Sequence, residues 1–240
     1  MNAFEISYKT DIGSREVNED NILVKAFDNF HLLAVADGLA GHTVGEVASS
    51  MALDIIEKVI TPKSGNINHW YKINRAISKA NREIYSLSGE IEYYGMGTTV
   101  VMALVDKDKA YIANVGDSRA YLITKDQIKQ LTVDHSFVQE MIESGTITAD
   151  EAHNHPYSSV LTRAVGTELR VKIDNYEQVL GSEDILVLCT DGLTRALGDE
   201  EILEIISSTA SLDKACDILI DEAKKRDIGD NISVILVRRK

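Results

Sequence analysis

The sequence predicts an α+β chain in which two mostly antiparallel sheets pack face to face and helix pairs cover them. Three observations lead there. Apolar runs of strand length recur, many joined by connections too short for the crossover that parallel pairing needs. Two pairs of segments, 44–59 with 69–87 and 199–208 with 212–225, instead space their apolar residues at helical steps of three and four. These pairs interrupt the strands rather than alternate with them, and stacking two sheets with helices outside buries every apolar stripe. With only 2 prolines and no Gly/Ser-rich or low-complexity stretch, the 240 residues read as one domain, 1–240.

Taken in order, residues 4–10 (FEISYKT) alternate like a strand, and Asp11-Ile12-Gly13 turns the chain before the polar SREVNED. Strands follow at 21–27 and 31–36, joined by a tight hairpin at Asp28-Asn29. After a glycine-rich corner, Val44, Val47, Met51, Ile55 and Val59 predict a helix that ends near Thr61-Pro62. Trp70, Ile73, Ile77, Ala80, Ile84 and Leu87 predict a second, its stripe serving the core. Beyond Gly95-Met96-Gly97, the strands TTVVMALV, KAYIANVGD, SRAYLITK and the short QIKQLT predict an antiparallel meander. Residues 134–165 carry little core signal. They mix polar turns with short helical pieces, one opened by the capping-box spacing of Thr148 and Glu151, and such an excursion between strands predicts a lid or substrate-contact segment. Strands at 171–179 and 184–190, the second helix pair and a strand at 231–238 complete the chain.

A formal charge of -13, from 25 Lys and Arg against 38 Asp and Glu, disfavours nucleic acid and anionic membrane as partners. Most of it suits an ordinary soluble surface, and part is open to neutralisation by bound cations. Cys189 lies in an apolar strand pattern and Cys216 on an apolar helix face, without CxxC spacing, so both read as buried thiols. The first residues show neither a basic start nor an apolar signal core, and no run approaches the ~18 to 20 residues of a membrane span. A cytoplasmic protein is expected.

The chemistry gathers at strand ends. The run Leu32 to Ala36 stops at Asp37-Gly38, and glycine there permits close approach, so Asp37 can face a ligand and the Gly38 carbonyl can join it. ILVLCTDG delivers Asp191-Gly192 in the same way, and in GDNISVILV the order is reversed, with Asp230 ahead of the strand. Glu19-Asp20 after a turn and Asp117 in VGDS add further carboxylates. Each Asp beside Gly taken alone reads first as a turn residue. Strand ends on one rim can converge, however, and hard carboxylate oxygens suit Mg2+ or Mn2+, while no His/Cys grouping offers the softer set that zinc favours. The residues alone therefore support an acidic two-metal hydrolase.

Arg15-x-x-Asn18-Glu19-Asp20, VADGLAGHTVGEVAS, Gly97-Thr98-Thr99, VGDSRAY, DHS, LTRAVG, CTDGL and GDNISV stand in the order and spacing of a known family. Practically the whole chain resembles the metal-dependent serine/threonine protein phosphatases of type 2C, the PPM family, and ADGxxGH resembles its bacterial branch. The resemblance implies a four-layer α/β/β/α sandwich with a two-metal centre at one end, binding Mn2+ or Mg2+. Asp37 would bridge both cations with the Gly38 carbonyl on one, Asp191 and Asp230 would ligate the other, and Glu19 and Asp20 would hold metal-bound waters. Activated water would attack phosphorus in line, without a covalent phosphoenzyme. Arg15 matches the family's phosphate-binding arginine, whose fork suits phosphate oxygens; its plain alternative is a surface ion pair with Glu16 or Glu19. Asp117 stands where bacterial relatives hold a third, looser cation. One departure concerns the general acid: eukaryotic relatives carry a His directly after the Asp-Gly, and here Leu39 takes its place. Metal-bound water and His42 are the alternatives, and His42 equally suits a hydrogen bond to the glycine corner. His135, His153 and His155 lie in or beside the lid and are not assigned as ligands.

The expected function is hydrolysis of phosphoserine and phosphothreonine on phosphorylated proteins, by a monomer that opposes a bacterial eukaryotic-like Ser/Thr kinase. Two rivals are a catalytically silent relative that reads phosphoproteins or metals, and a phosphatase dedicated to a regulator in a sigma-factor partner-switching pathway. Intact Asp37, Gly38, Asp191 and Asp230 speak against the first, and the Arg15 motif with the lid favours the broader class over the second.

Overall fold

The structure, a computed structural model, describes residues 4–39, 43–61, 68–153 and 155–240. The first part of the chain comprises β1 (Phe4–Asp11), β2 (Asp20–Ala26), β3 (His31–Leu39), α1 (Thr43–Ile60), α2 (His69–Leu87), β4 (Gly97–Thr98), β5 (Val100–Asp106) and β6 (Lys109–Val115). It continues through β7 (Arg119–Thr124), β8 (Gln127–Gln130), α3 (Phe137–Glu143), α4 (Ala149–His153), β9 (Asp174–Val179) and β10 (Ile185–Cys189), then α5 (Asp191–Ala196), α6 (Asp199–Ser208), α7 (Leu212–Arg226) and β11 (Ile232–Arg239). One sheet has the order β1-β11-β10-β7-β8 and the other β2-β3-β5-β6-β9, with β4 added alongside β3. The strand pairs are antiparallel, as expected.

Three apolar layers hold these sheets in a four-layer α/β/β/α sandwich. Alternate residues of β3 serve two of them: Leu32, Ala34 and Ala36 pack with Ile56 of α1 and Ile77 of α2, while Leu33 and Val35 meet Leu186 and Ile235 between the sheets. All five β3 residues are fully buried. Strands covered on both faces read as continuous apolar runs rather than alternating ones. The third layer packs Val187 and Leu236 of the first sheet against Leu193, Ile202 and Leu219 from α5, α6 and α7. Burying one such Leu, Ile or Val contributes about 1.5–3 kcal/mol.

Helix ends follow local chemistry. Asn68 accepts the Trp70 amide at 2.8 Å to start α2, and Ser136 accepts that of Gln139 to start α3. The predicted capping box is formed: Glu151 accepts from the Thr148 amide at 2.8 Å, and Thr148 from the Glu151 amide at 3.3 Å. Pro62, Gly41 and His42 lie outside the described residues. Both cysteines are free and buried. Among the described residues no helix is long and apolar enough to cross a membrane.

Two expectations are corrected. The meander breaks between its second and third strands: β5 and β6 pair in one sheet, β7 and β8 in the other. Three residues, 116–118, carry the chain across; extended, they span roughly 10 Å, which matches the spacing of stacked sheets. Gly116 makes the turn at φ +112, where a Cβ would lie 2.6 Å from Thr99 Cβ. A short connection thus joined neighbours across the sandwich rather than within one sheet. The second helix pair is also a trio, because α5 follows directly on β10. Its six residues are too few to show a helical period.

Candidate metal centre

Arg15, Glu19, Asp37, Gly38, Asp117, Asp191 and Asp230 all line one cavity of about 330 Å3, with Leu39, Arg195 and Asn231 among its other walls. Asp20 is not part of this lining; it is 4% exposed and stands opposite Asp37 in the β2–β3 register. The backbone around Asp37 is fixed on both sides. Its amide donates to Thr99 Oγ1 at 3.0 Å, and its carbonyl accepts from Thr98 Oγ1 and the Thr99 amide, each at 2.8 Å. A Cβ on Gly38 would lie 2.2 Å from the Gly45 carbonyl oxygen, so glycine is what lets α1 start against this strand end.

Asn231 joins the far ends of the chain. Its Oδ1 accepts the Glu19 amide at 2.9 Å, and its Nδ2 donates to the carbonyls of Ile12 and Val17 at 2.8 and 3.0 Å. Thr190, the residue before Asp191, donates to Asp20 Oδ2 at 2.8 Å and accepts the Ser233 amide at 3.0 Å. Asp117 follows the sheet crossing; Ser118 beside it shares a 2.7 Å hydroxyl contact with Thr99, and His135 Nδ1 accepts the Gly116 amide at 3.0 Å. His135 therefore braces the backbone next to Asp117.

So many carboxylates in one place oppose their own ionisation. Burial, then repulsion from Asp20, Asp191, Asp117 and Asp230, raises Asp37 well above the usual carboxylate range. Asp117 is raised by burial and Asp191, and Asp191 by burial and Asp230. Burial first of all, with Asp191 and Asp230 adding repulsion, pushes Asp20 up to about 7. Oδ1 of Asp20 and Oδ1 of Asp191 are buried with no hydrogen-bond donor among the described residues. Hard oxygens, undonated and mutually repelling, fit divalent cations of the Mg2+ or Mn2+ type.

Positive charge is supplied by arginines. Arg15 Nη2 lies 3.0 Å from Asp230 Oδ1, and its Nε donates to the Gly229 carbonyl, so its ion pair is with Asp230 and not with Glu16 or Glu19. Arg195 Nη1 lies 3.1 Å from Asp230 Oδ2 and 3.6 Å from Asp191 Oδ2. Among the described residues no three or more Asp, Glu, His or Cys side chains are grouped closely enough to hold a metal ion as they stand. Thiol chemistry has no place here, since burial pushes Cys189 up to about 12 and Cys216 up to about 11.

A family model described as Protein phosphatase 2C matches residues 2–141. The chain belongs to the protein phosphatase 2C family. Serine/threonine phosphatase stp of Listeria monocytogenes serotype 4b (strain F2365) is 39% identical over 240 residues, covering 97% of this chain and 94% of that protein. The crystal structure of serine/threonine phosphatase Stp1 from Staphylococcus aureus matches with a TM-score of 0.93 at 36% identity, over 99% of this chain and 95% of that one. The catalytic domain of PstP, solved in complex with two manganese ions, matches with a TM-score of 0.86 at 30% identity, over 98% and 97%. This phosphatase 2C is accordingly a serine/threonine protein phosphatase, a hydrolase of an Mn2+/Mg2+-dependent family. Neither rival reading is favoured by these likenesses.

In this phosphatase 2C the 134–165 excursion is tied at its root. Ser136 bridges Leu161, the Phe137 amide donates to the Val160 carbonyl at 2.8 Å, and the Thr162 amide to that of His135 at 2.9 Å. Ser159 and Leu161 reach the acidic cavity, while Ser136, Gln139, Ile142 and Ser158 line a neighbouring cleft of about 320 Å3 that shares Asp117, Asp191 and Arg195 with it. Sequence reasoning assigned no role to Asn231, Thr190 or Arg195. Asn231 and Thr190 stand inside motifs whose neighbouring aspartates drew the attention. Arg195 is one helical turn from Asp191, a relation visible only once α5 is known.

Proposed function

We propose that this enzyme removes phosphate from phosphoserine and phosphothreonine of proteins at the acidic cavity. In this reading Asp37, Gly38, Asp191 and Asp230 hold two tightly bound Mn2+ or Mg2+ ions, with Glu19 and Asp20 around them. Asp117 holds a third, weaker one, and Arg15 binds the phosphoryl group. The observation that carries the reading is the convergence of these residues on one cavity from widely separated parts of the chain. When bound, such cations lower the pKa of water and offset negative charge on the transferring phosphoryl group.

The chain's own residues supply position and charge. Thr98 and Thr99 hold the Asp37 backbone so that its carboxylate faces the cavity. Arg15, nearly half exposed and anchored at Gly229, offers a guanidinium to an incoming anion from the cavity wall. Leu39, on the same wall, brings no proton to the leaving group. The 134–165 segment acts as a lid within a single domain, a role that suits its place over both cavities. In this reading the enzyme is a cytoplasmic monomer, which its acidic composition suits, and it opposes a Ser/Thr kinase on shared phosphoproteins.

The test of the centre is Asp191→Asn. It should abolish tight Mn2+ binding in calorimetry and most turnover while thermal unfolding in chelator stays cooperative, because the residue sits at a rim. Wild-type activity of this variant at low Mn2+ would refute the assignment. Phosphoproteomes with and without the gene would then identify substrates and, through their phosphosites, the kinase.

A further inference from the structure

Asp230 is bound from two sides. Its Oδ1 accepts from Arg15 Nη2 at 3.0 Å and from the Asn231 amide at 3.0 Å, and its Oδ2 accepts from Arg195 Nη1 at 3.1 Å. A cation that takes this carboxylate meets the positive charge of both guanidinium groups at close range, which favours release of one of them. The two arginines differ in what they would lose. Arg15 keeps the Gly229 carbonyl through Nε. Arg195 has Asp230 and Asp191 as its ion-pair partners among the described residues, so one cation on those two carboxylates removes both. Arg195 is 37% exposed and reaches Asp191 along its own helix, so a change of rotamer is enough to release it.

We propose that Arg195 is an exchangeable counter-charge: it holds Asp191 and Asp230 together in the metal-free protein, and on metal binding it turns to an anionic group of the substrate. The destination is the wall shared by the acidic cavity and the neighbouring cleft, both of which Arg195 lines. Arg119, the other arginine of that cleft, is already committed to Asp134 by bonds of 2.7 and 2.9 Å. Asp134 is thereby neutralised, and Asp117 and Asp191, which also line the cleft, are the carboxylates that face cations in this reading, so the released guanidinium supplies the positive charge beside the neutral Gln130, Ser136, Gln139 and Thr194. Its chemistry selects a carboxylate or a second phosphate on the peptide flanking the phosphoresidue. The inference rests on reading Asp191 and Asp230 as metal ligands.

The experiment compares wild type, Arg195→Met, Arg195→Lys and Asp191→Asn by Mn2+ calorimetry and by thermal unfolding in chelator and at saturating Mn2+. It adds kinetics on three substrates: a phosphopeptide with acidic neighbours, one with neutral neighbours, and p-nitrophenyl phosphate. Arg195→Met, which lacks the competing charge, should bind Mn2+ about three- to tenfold more tightly and unfold at a lower temperature than wild type in chelator only. Its Michaelis constant should rise by about tenfold for the acidic peptide, with little change for the other two substrates. Arg195→Lys, which keeps the charge without the fork, should fall between. Unchanged or weaker Mn2+ binding by Arg195→Met overturns the exchange, and an equal effect on all three substrates overturns the substrate contact. The control separates the layers. If Asp191→Asn binds Mn2+ like wild type, the ligand assignment has failed; if it loses tight Mn2+ while Arg195→Met matches wild type, only the exchange has failed.

Discussion

Gly192→Ala tests how closely the segments carrying the proposed ligands Asp191 and Asp230 must approach. A Cβ at this position would lie 1.9 Å from the Asn231 carbonyl oxygen and 3.0 Å from its carbon, about 1.5 Å inside ordinary contact. The obstacle is backbone, so no side-chain rotation relieves it. Either α5 or the start of β11 must move, and the residues on the two sides of the contact are the neighbours of Asp191 and Asp230. Overpacking of this kind costs about 1–3 kcal/mol, and in a chain of this size each kcal/mol lowers the unfolding temperature by about 2–4 °C. Metal sites tolerate distance errors of only about 0.2 Å. The variant should therefore unfold roughly 2–12 °C lower and bind Mn2+ at least about tenfold more weakly, a loss of about 1.4 kcal/mol. Differential scanning calorimetry and Mn2+ titration measure the two effects. If both stay at wild-type values, the Asp-Gly dipeptide is an ordinary turn, and the close packing of α5 on Asn231 has no part in shaping the centre.

Arg15→Ala should raise the Michaelis constant for a phosphopeptide by roughly ten- to a hundredfold, the range for loss of a charged hydrogen bond, without weakening Mn2+ binding. An unchanged constant would leave Arg15 as no more than the counter-ion of Asp230. A pH prediction follows from Asp20, whose carboxyl is pushed up to about 7. The folded state binds this proton more tightly than the unfolded one, so the stability it contributes is present at about pH 4 and is lost as pH rises toward 7, at up to about 1.4 kcal/mol per unit. In chelator, Asp20→Asn should therefore gain stability relative to wild type across that window, and saturating Mn2+ should reverse the ranking at pH 7. A stability difference in chelator that stays constant from pH 4 to 7 would refute the argument.

Local order was legible wherever a stripe was long. The helix at 69–87 coincides with α2 because six apolar residues repeat along it, and Thr148 with Glu151 marks α4 because a capping box is complete within four residues. The paired carboxylates were legible for a similar reason: an apolar run that stops at Asp-Gly is a local pattern, and it marked Asp37 and Asp191 before any contact was known. Residues with no pattern of their own were not. Arg195 has meaning only through α5, too short to show a period, and Asn231 only through partners more than two hundred positions away.

From the sequence alone came the strands, the long helices, the acidic and divalent-cation character of the site, and the family through its ordered motifs. Those properties are written in spacing and residue type, which survive without coordinates. The tertiary structure alone decided that β6 and β7 belong to different sheets, that Arg15 faces Asp230, and that Arg195 stands against both Asp191 and Asp230. The physical reason is one of range. Periodicity, capping and turn chemistry act over a few residues, whereas sheet assignment depends on burying both faces of every strand at once, and ion pairing depends on which distant charges that packing brings within about 4 Å.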